Sequence, residues 1–167
     1  GTTDTAFPIG NGFNIQTIGS GTASLARASD SPSTAVTPGA QSVVLAKYNF
    51  RSSGENMEIR QVQFYISSSS GVIPLNGTVY VKFNNAIVYS VGATSLLQTA
   101  ANTISLSSYP IATAGVDNYF TIETSIPSTA TASDSYQVKS FNVTNVKRII
   151  TGDLYTPTTS ATDGFTI

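Results

Sequence analysis

The chain predicts an all-β fold, an antiparallel sandwich of seven to nine strands in two packed sheets, and three observations carry that prediction. Apolar residues recur with period two along most of the chain, as they do where successive side chains point to opposite faces of a sheet. No stretch carries a convincing helical period. The alternating runs are separated by turns rich in Ser, Thr, Gly and Pro, at about the spacing of a sandwich.

Thr22 to Ala26 is a short first strand. In Ser42 to Phe50, placing Val44, Ala46, Tyr48 and Phe50 inward sends Lys47 and Asn49 outward, so this run is a half-buried strand. Met57 to Ile66 alternates through Met57 and Ile59 and then changes phase to Val62, Phe64 and Ile66, as a β-bulge near Arg60-Gln61 requires. Val79, Val81 and Phe83 alternate with Tyr80 and Lys82; Asn84-Asn85 then turns the chain into Ile87, Tyr89 and Val91, a hairpin in which Asn85 takes a positive φ. Asn102 to Leu106 is another short strand. Phe120, Ile122, Thr124 and Ile126 share one face, before Pro127 stops the ladder. The stretch through Tyr136, Val138, Phe141, Val143, Val146 and Ile149 slips phase twice, so it is one long bent strand or two strands meeting at a corner.

Composition narrows function by exclusion. Of the 167 residues only 10% are charged, and Lys+Arg of 8 against Asp+Glu of 9 leaves a net charge of −1. Such a surface has no cationic surplus for phosphates, so nucleic acid is not an expected partner. His and Cys are both absent, which removes Ser-His-Asp and Cys-His catalysis, thiolate or imidazole metal sites and disulfides. No apolar run approaches the roughly 18 residues of a membrane span. Ser and Thr make up more than a quarter of the chain. The expectation is a protein that is not an enzyme, with no cofactor and no metal site. Residues 21–167 suffice for one domain with a sizeable core, and residues 1–20 form an N-terminal extension or strand.

The ends of the chain echo each other. Asn11-Gly12-Phe13-Asn14-Ile15 returns as Asp163-Gly164-Phe165-Thr166-Ile167, with Gly, Phe and Ile each displaced by the same 152 positions. Either this is chance similarity in a Gly/Thr-rich chain, or it marks a tandem period of about one domain.

The run Gly21-Thr22-Ala23-Ser24-Leu25, then Ser29-Asp30-Ser31-Pro32, then Pro38-Gly39-Ala40-Gln41 leading to Val44 through Phe50, and Gly54-Glu55-Asn56-Met57-Glu58-Ile59, resembles the immunoglobulin-like β-sandwich modules repeated in prokaryotic cell-surface proteins. That resemblance implies an immunoglobulin-like sandwich with an extracellular, cell-surface, non-catalytic role, and it carries over no functional residue. A weaker resemblance is to Thr-rich subunits of surface filaments and pili, which join by inserting a terminal strand into a neighbour. The expected partners are therefore copies of this chain or adjoining domains. An open sheet edge accepts an extended peptide through its unpaired N–H and C=O groups, and Phe13, Ile15 and Ile18 would be the plugs. The competing reading is that this segment pairs within its own domain as an ordinary first strand.

Other candidate sites are weaker in pattern. Tyr65 and Tyr80, both facing away from the core, would form a small aromatic platform for glycans, which makes a carbohydrate- or surface-binding adhesion module the second functional reading. Asn76-Gly77-Thr78 and Asn142-Val143-Thr144 are sequons, with Asn76 and Asn142 as acceptors. Glu55 and Glu58 would be an acid and base only if drawn out of the solvent that a Gly-Glu-Asn turn normally gives them. Lys47 with Glu58 or Glu123 is the one trio worth testing for a covalent Lys–Asn bond. Asp117, Asp134, Asp153 and Asp163 lie in loops without a calcium-loop pattern, and Gly10-x-Gly12 and Gly19-x-Gly21 are turns rather than phosphate loops.

Overall fold

A computed structural model describes residues 19–69, 77–96 and 99–167. It contains ten strands, two of them only two residues long: β1 (Thr22–Arg27), β2 (Val43–Ser53), β3 (Met57–Ser68), β4 (Thr78–Phe83), β5 (Ala86–Gly92), β6 (Asn102–Ser105), β7 (Ile111–Ala112), β8 (Asn118–Thr124), β9 (Tyr136–Arg148) and β10 (Leu154–Tyr155). They form two five-stranded sheets, ordered β1-β2-β8-β4-β5 and β10-β9-β3-β6, with β7 added to β3; every strand pairing is antiparallel.

The core follows from the alternation. Ala46, Tyr48, Phe50, Val79, Val81, Phe83, Phe120, Ile122 and Ile126 from one sheet meet Met57, Ile59, Val62, Phe64, Ile66, Val138, Phe141, Val143 and Val146 from the other. Without cysteine to link β2 and β9, Tyr48 stacks on Phe141 instead, with ring centroids 4.2 Å apart and planes 7° from parallel. Phe64 on β3 tilts against Phe141 at 6.1 Å, and Phe120 approaches it at 5.3 Å. An aromatic cluster therefore joins the two sheets at the centre of the core.

The expected bulge is present, since pairing between β3 and β9 shifts between Ile59 and Gln61 and again before Val62. Asn84 and Asn85 both take positive φ, 47° and 69°, as a type I′ hairpin requires. Residues 136–148 form one bent strand rather than two: Ser140, at φ 54°, absorbs the first phase slip, and the second lies opposite the bulge in β3.

One inward assignment, that of Val44, needs correction, and the phase of β5 and the end of β9 are set by the structure. A second bulge, between Val44 and Ala46, turns both Leu45 and Ala46 inward and leaves Val44 only half-buried. In β5 a register shift after Val81 moves the phase by one, so Val88 is the buried residue while Ile87 is 56% exposed. Ile149 lies beyond the end of β9 and is exposed.

Both ends of the sandwich bear on function. Gly21, Ser53, Glu55 and Arg148 mark one, called here the lower end; Pro38, Ile126, Ser68 and Tyr136 mark the other, the upper end. Among the described residues no helix is long and apolar enough to cross a membrane.

Candidate functional site

After β10 the chain returns along the free edge of β9. Thr162 and Phe141 exchange backbone hydrogen bonds of 2.9 and 3.0 Å, the Gly164 N–H donates to the Val138 carbonyl at 2.8 Å, and Ile167 and Tyr136 exchange bonds of 3.0 and 2.9 Å. Residues 162–167 thus serve as an added edge strand, seated where the two sheets come together.

Each side chain in this seat meets a specific demand. Asp163 accepts the Ser140 N–H at 2.8 Å and pairs with Lys139 Nζ at 2.8 Å. Burial raises its pKa, but Lys139, the Ser140 N–H and Arg27 outweigh that and hold the carboxyl below its ordinary value. At Gly164 a Cβ would stand 2.9 Å from the Ala46 Cβ and 3.4 Å from the Tyr48 hydroxyl, so the close approach of this backbone to β2 requires glycine. The Phe165 ring lies under the Arg27 guanidinium, 3.6 Å from its centroid. Ile167 packs on the core and lines an apolar pocket of about 240 Å³ at the upper end, together with Val36, Pro38, Ile126, Ala130 and Tyr136. Thr166 is exposed.

A second cluster closes the lower end. Glu55, expected in solvent, is 5% exposed and accepts backbone N–H groups from Gly21 (3.3 Å), Ile150 (2.8 Å) and Thr151 (3.3 Å), with Arg148 Nε at 4.0 Å. Burial raises its pKa, yet those three donors and Arg148 win and lower it. Arg148 itself donates to the Gly21 carbonyl at 2.7 and 3.0 Å and pairs with Asp153 at 2.8 Å. Glu55 is therefore a clasp joining the start of β1 to the loop after β9. Glu58 points elsewhere, to Arg60 at 2.7 Å, so the two carboxylates form no acid–base pair.

The remaining predicted sites separate. Tyr65 lies on the outer face of β3 and Tyr80 on that of β4; these strands belong to different sheets, so the rings look out from opposite sides of the sandwich and make no common platform. Lys47 pairs with Asp30 at 2.5 Å and lies over Tyr119, while Glu123 pairs with Lys82 at 2.7 Å and Glu58 sits in the other sheet, so the covalent-bond trio is not assembled. The half-buried Asn142 side chain donates to the Thr159 carbonyl at 3.2 Å and accepts from the Val143 N–H at 2.9 Å and the Thr159 hydroxyl at 2.5 Å. The loop carboxylates are used one by one: Asp117 with Arg51, Asp134 with Thr131, Asp153 with Arg148, Asp163 with Lys139. Phe13, Ile15, Ile18 and Asn76 lie outside the described residues.

The carboxylates also fix the pH response. Asp30, Glu55, Asp153 and Asp163 all have folded pKa values below their ordinary ones. A depressed folded pKa adds stability above the unfolded value and loses it as pH falls through the folded one. With no histidine to titrate near neutrality, the melting temperature is expected to stay flat from about pH 5 to 8 and to drop as pH falls below about 4. A thermal-melt series across that range checks it.

The fold and the seat define the class, an all-β sandwich of two five-stranded antiparallel sheets with an added strand on the edge of β9. Compared with protein-family models, curated proteins and solved structures, the chain finds no match.

Proposed function

We propose that this chain is a non-catalytic structural module of an extracellular, cell-surface assembly, and that it associates end to end with copies of itself. The observation that carries the reading is the apolar character of both ends. At the lower end Asn56 ties down two loops, accepting the Ala114 N–H at 2.8 Å through its side chain and the Ile149 N–H at 3.1 Å through its carbonyl. These loops present Val116, Ile149 and Ile150, of which Ile150 is 79% exposed. Large apolar side chains gathered on an otherwise polar surface fit a contact with another protein. The upper end offers the apolar pocket around Val36 and Ile167. Two unlike apolar ends make a heterologous, head-to-tail contact, which adds copies one after another. The low charge lessens repulsion between stacked copies, and the Ser/Thr-rich surface suits the outside of a cell.

The test is sedimentation of the full chain over a range of concentrations. The weight-average mass is expected to rise above 17.4 kDa with concentration, and Ile150→Ser, which adds no charge beside Glu55, to suppress the rise without changing the melting temperature. A mass of one chain at every concentration overturns the reading.

A further inference from the structure

The chain carries few charges, and nearly all of them are paired. Every Lys and Arg lies among the described residues, and each except Lys147 bonds a carboxylate, a backbone carbonyl or an aromatic ring. Every described Asp and Glu except Asp134 has a cation within 4.0 Å. Asp134 accepts only from Thr131, from its N–H at 2.7 Å and its hydroxyl at 3.1 Å, both through Oδ2. Glu58 stands opposite Lys147 in the pairing of β3 with β9, but Arg60 holds it at 2.7 Å.

These two charges are opposite in sign and lie at opposite ends of the sandwich. Lys147 is the last residue but one of β9, at the lower end, three positions before the exposed Ile150. Asp134 is at the upper end and lines the same apolar pocket as Val36, Pro38 and Ile167. Each end therefore sets one apolar feature beside one charge: an isoleucine beside a cation, a pocket beside a carboxylate.

We propose that the lower end of one copy docks on the upper end of the next, with Ile150 seated in the pocket and Lys147 paired with Asp134. The inference rests on the end-to-end reading above and assigns that contact its residues, its direction and a dependence on salt.

Distances support it. Three residues of chain span at most about 10 Å, so an Ile150 seated in the pocket brings the long Lys147 side chain to the rim where Asp134 stands. Within one chain the two charges cannot meet, because β9, 13 residues long, holds them about 40 Å apart at the usual rise per residue. The pair also selects the direction of docking. Lower end against lower end opposes two lysines, and upper against upper opposes two aspartates; like charges facing each other disfavour both, and only the head-to-tail contact joins unlike ones. An ion pair in open solvent contributes little, but one beside a closed apolar contact is screened less by salt than an exposed pair.

The test is sedimentation of the full chain and of full-length variants, each first checked for a cooperative melt. D134N, which keeps a side-chain oxygen for the Thr131 N–H, and K147Q are each expected to weaken association several-fold, and D134N/K147Q no further than either alone. Added salt should weaken association of the wild type and leave that of the double variant unchanged. D134K and K147E oppose like charges in their own contacts, so each should be monomeric alone; mixed in equal amounts they should assemble, since every contact between unlike copies then joins opposite charges. Where a reversed variant does not melt cooperatively, the neutral variants decide. Association indifferent to D134N and K147Q, or folded reversed variants that fail to assemble on mixing, overturns the ion pair and leaves the end-to-end reading standing; a wild-type chain that is monomeric at every concentration overturns both.

Discussion

Phe141→Ala is expected to destabilise the fold by about 3–5 kcal/mol, the cost of emptying a fully enclosed aromatic site. Phe141 is 0% exposed and contacts Tyr48, Phe64 and Phe120 at once, so it connects β2, β3 and β8 across the two sheets. In a sandwich without disulfides, no covalent link limits the loss. Denaturant unfolding of the variant should show a large fall in midpoint with an unchanged slope. A change below about 1 kcal/mol would mean that the cluster does not hold the sheets together.

Gly164→Ala should produce the second largest effect, about 1–3 kcal/mol, because the new methyl group has no room against Ala46 and the segment must lift from β9. The loss is local at first. Amide exchange should accelerate at Tyr136, Phe141, Gly164 and Ile167, whose N–H groups donate across the seat, while β4 and β8 keep their protection. Uniform acceleration across both sheets would contradict a separately docked strand.

How much of this was legible in the sequence depends on which interactions set each position. Strict alternation in β8 and β4 marked their buried faces, because both strands are central and every second residue meets the opposite sheet. The phase change at Arg60-Gln61 exposed the bulge in β3. The bulge before Ala46 left no such mark: Val44, Leu45 and Ala46 are all apolar, and period two cannot choose between phases inside an apolar run. On β5, an edge strand, the register shift after Val81 buries Val88 and leaves Ile87 exposed, a phase that alternation within β5 alone does not reveal.

The seat was half legible. Gly164 was visible in the sequence, but the reason for it, the lack of space for a Cβ against Ala46, comes from β2, more than a hundred residues earlier. Glu55 was misjudged for a similar reason: a Gly-Glu-Asn turn is normally solvated, and the donors that capture this carboxylate, Ile150 and Thr151, arrive from the far end of the chain. Tyr65 and Tyr80 had the right orientation relative to the core, yet alternation gives a side chain's face and not its sheet.

End-to-end assembly is tested most directly by electron microscopy of the full chain at rising concentration. The account predicts unbranched linear chains with a repeat close to the length of one sandwich, about 40 Å along β9. Single particles at every concentration would contradict it.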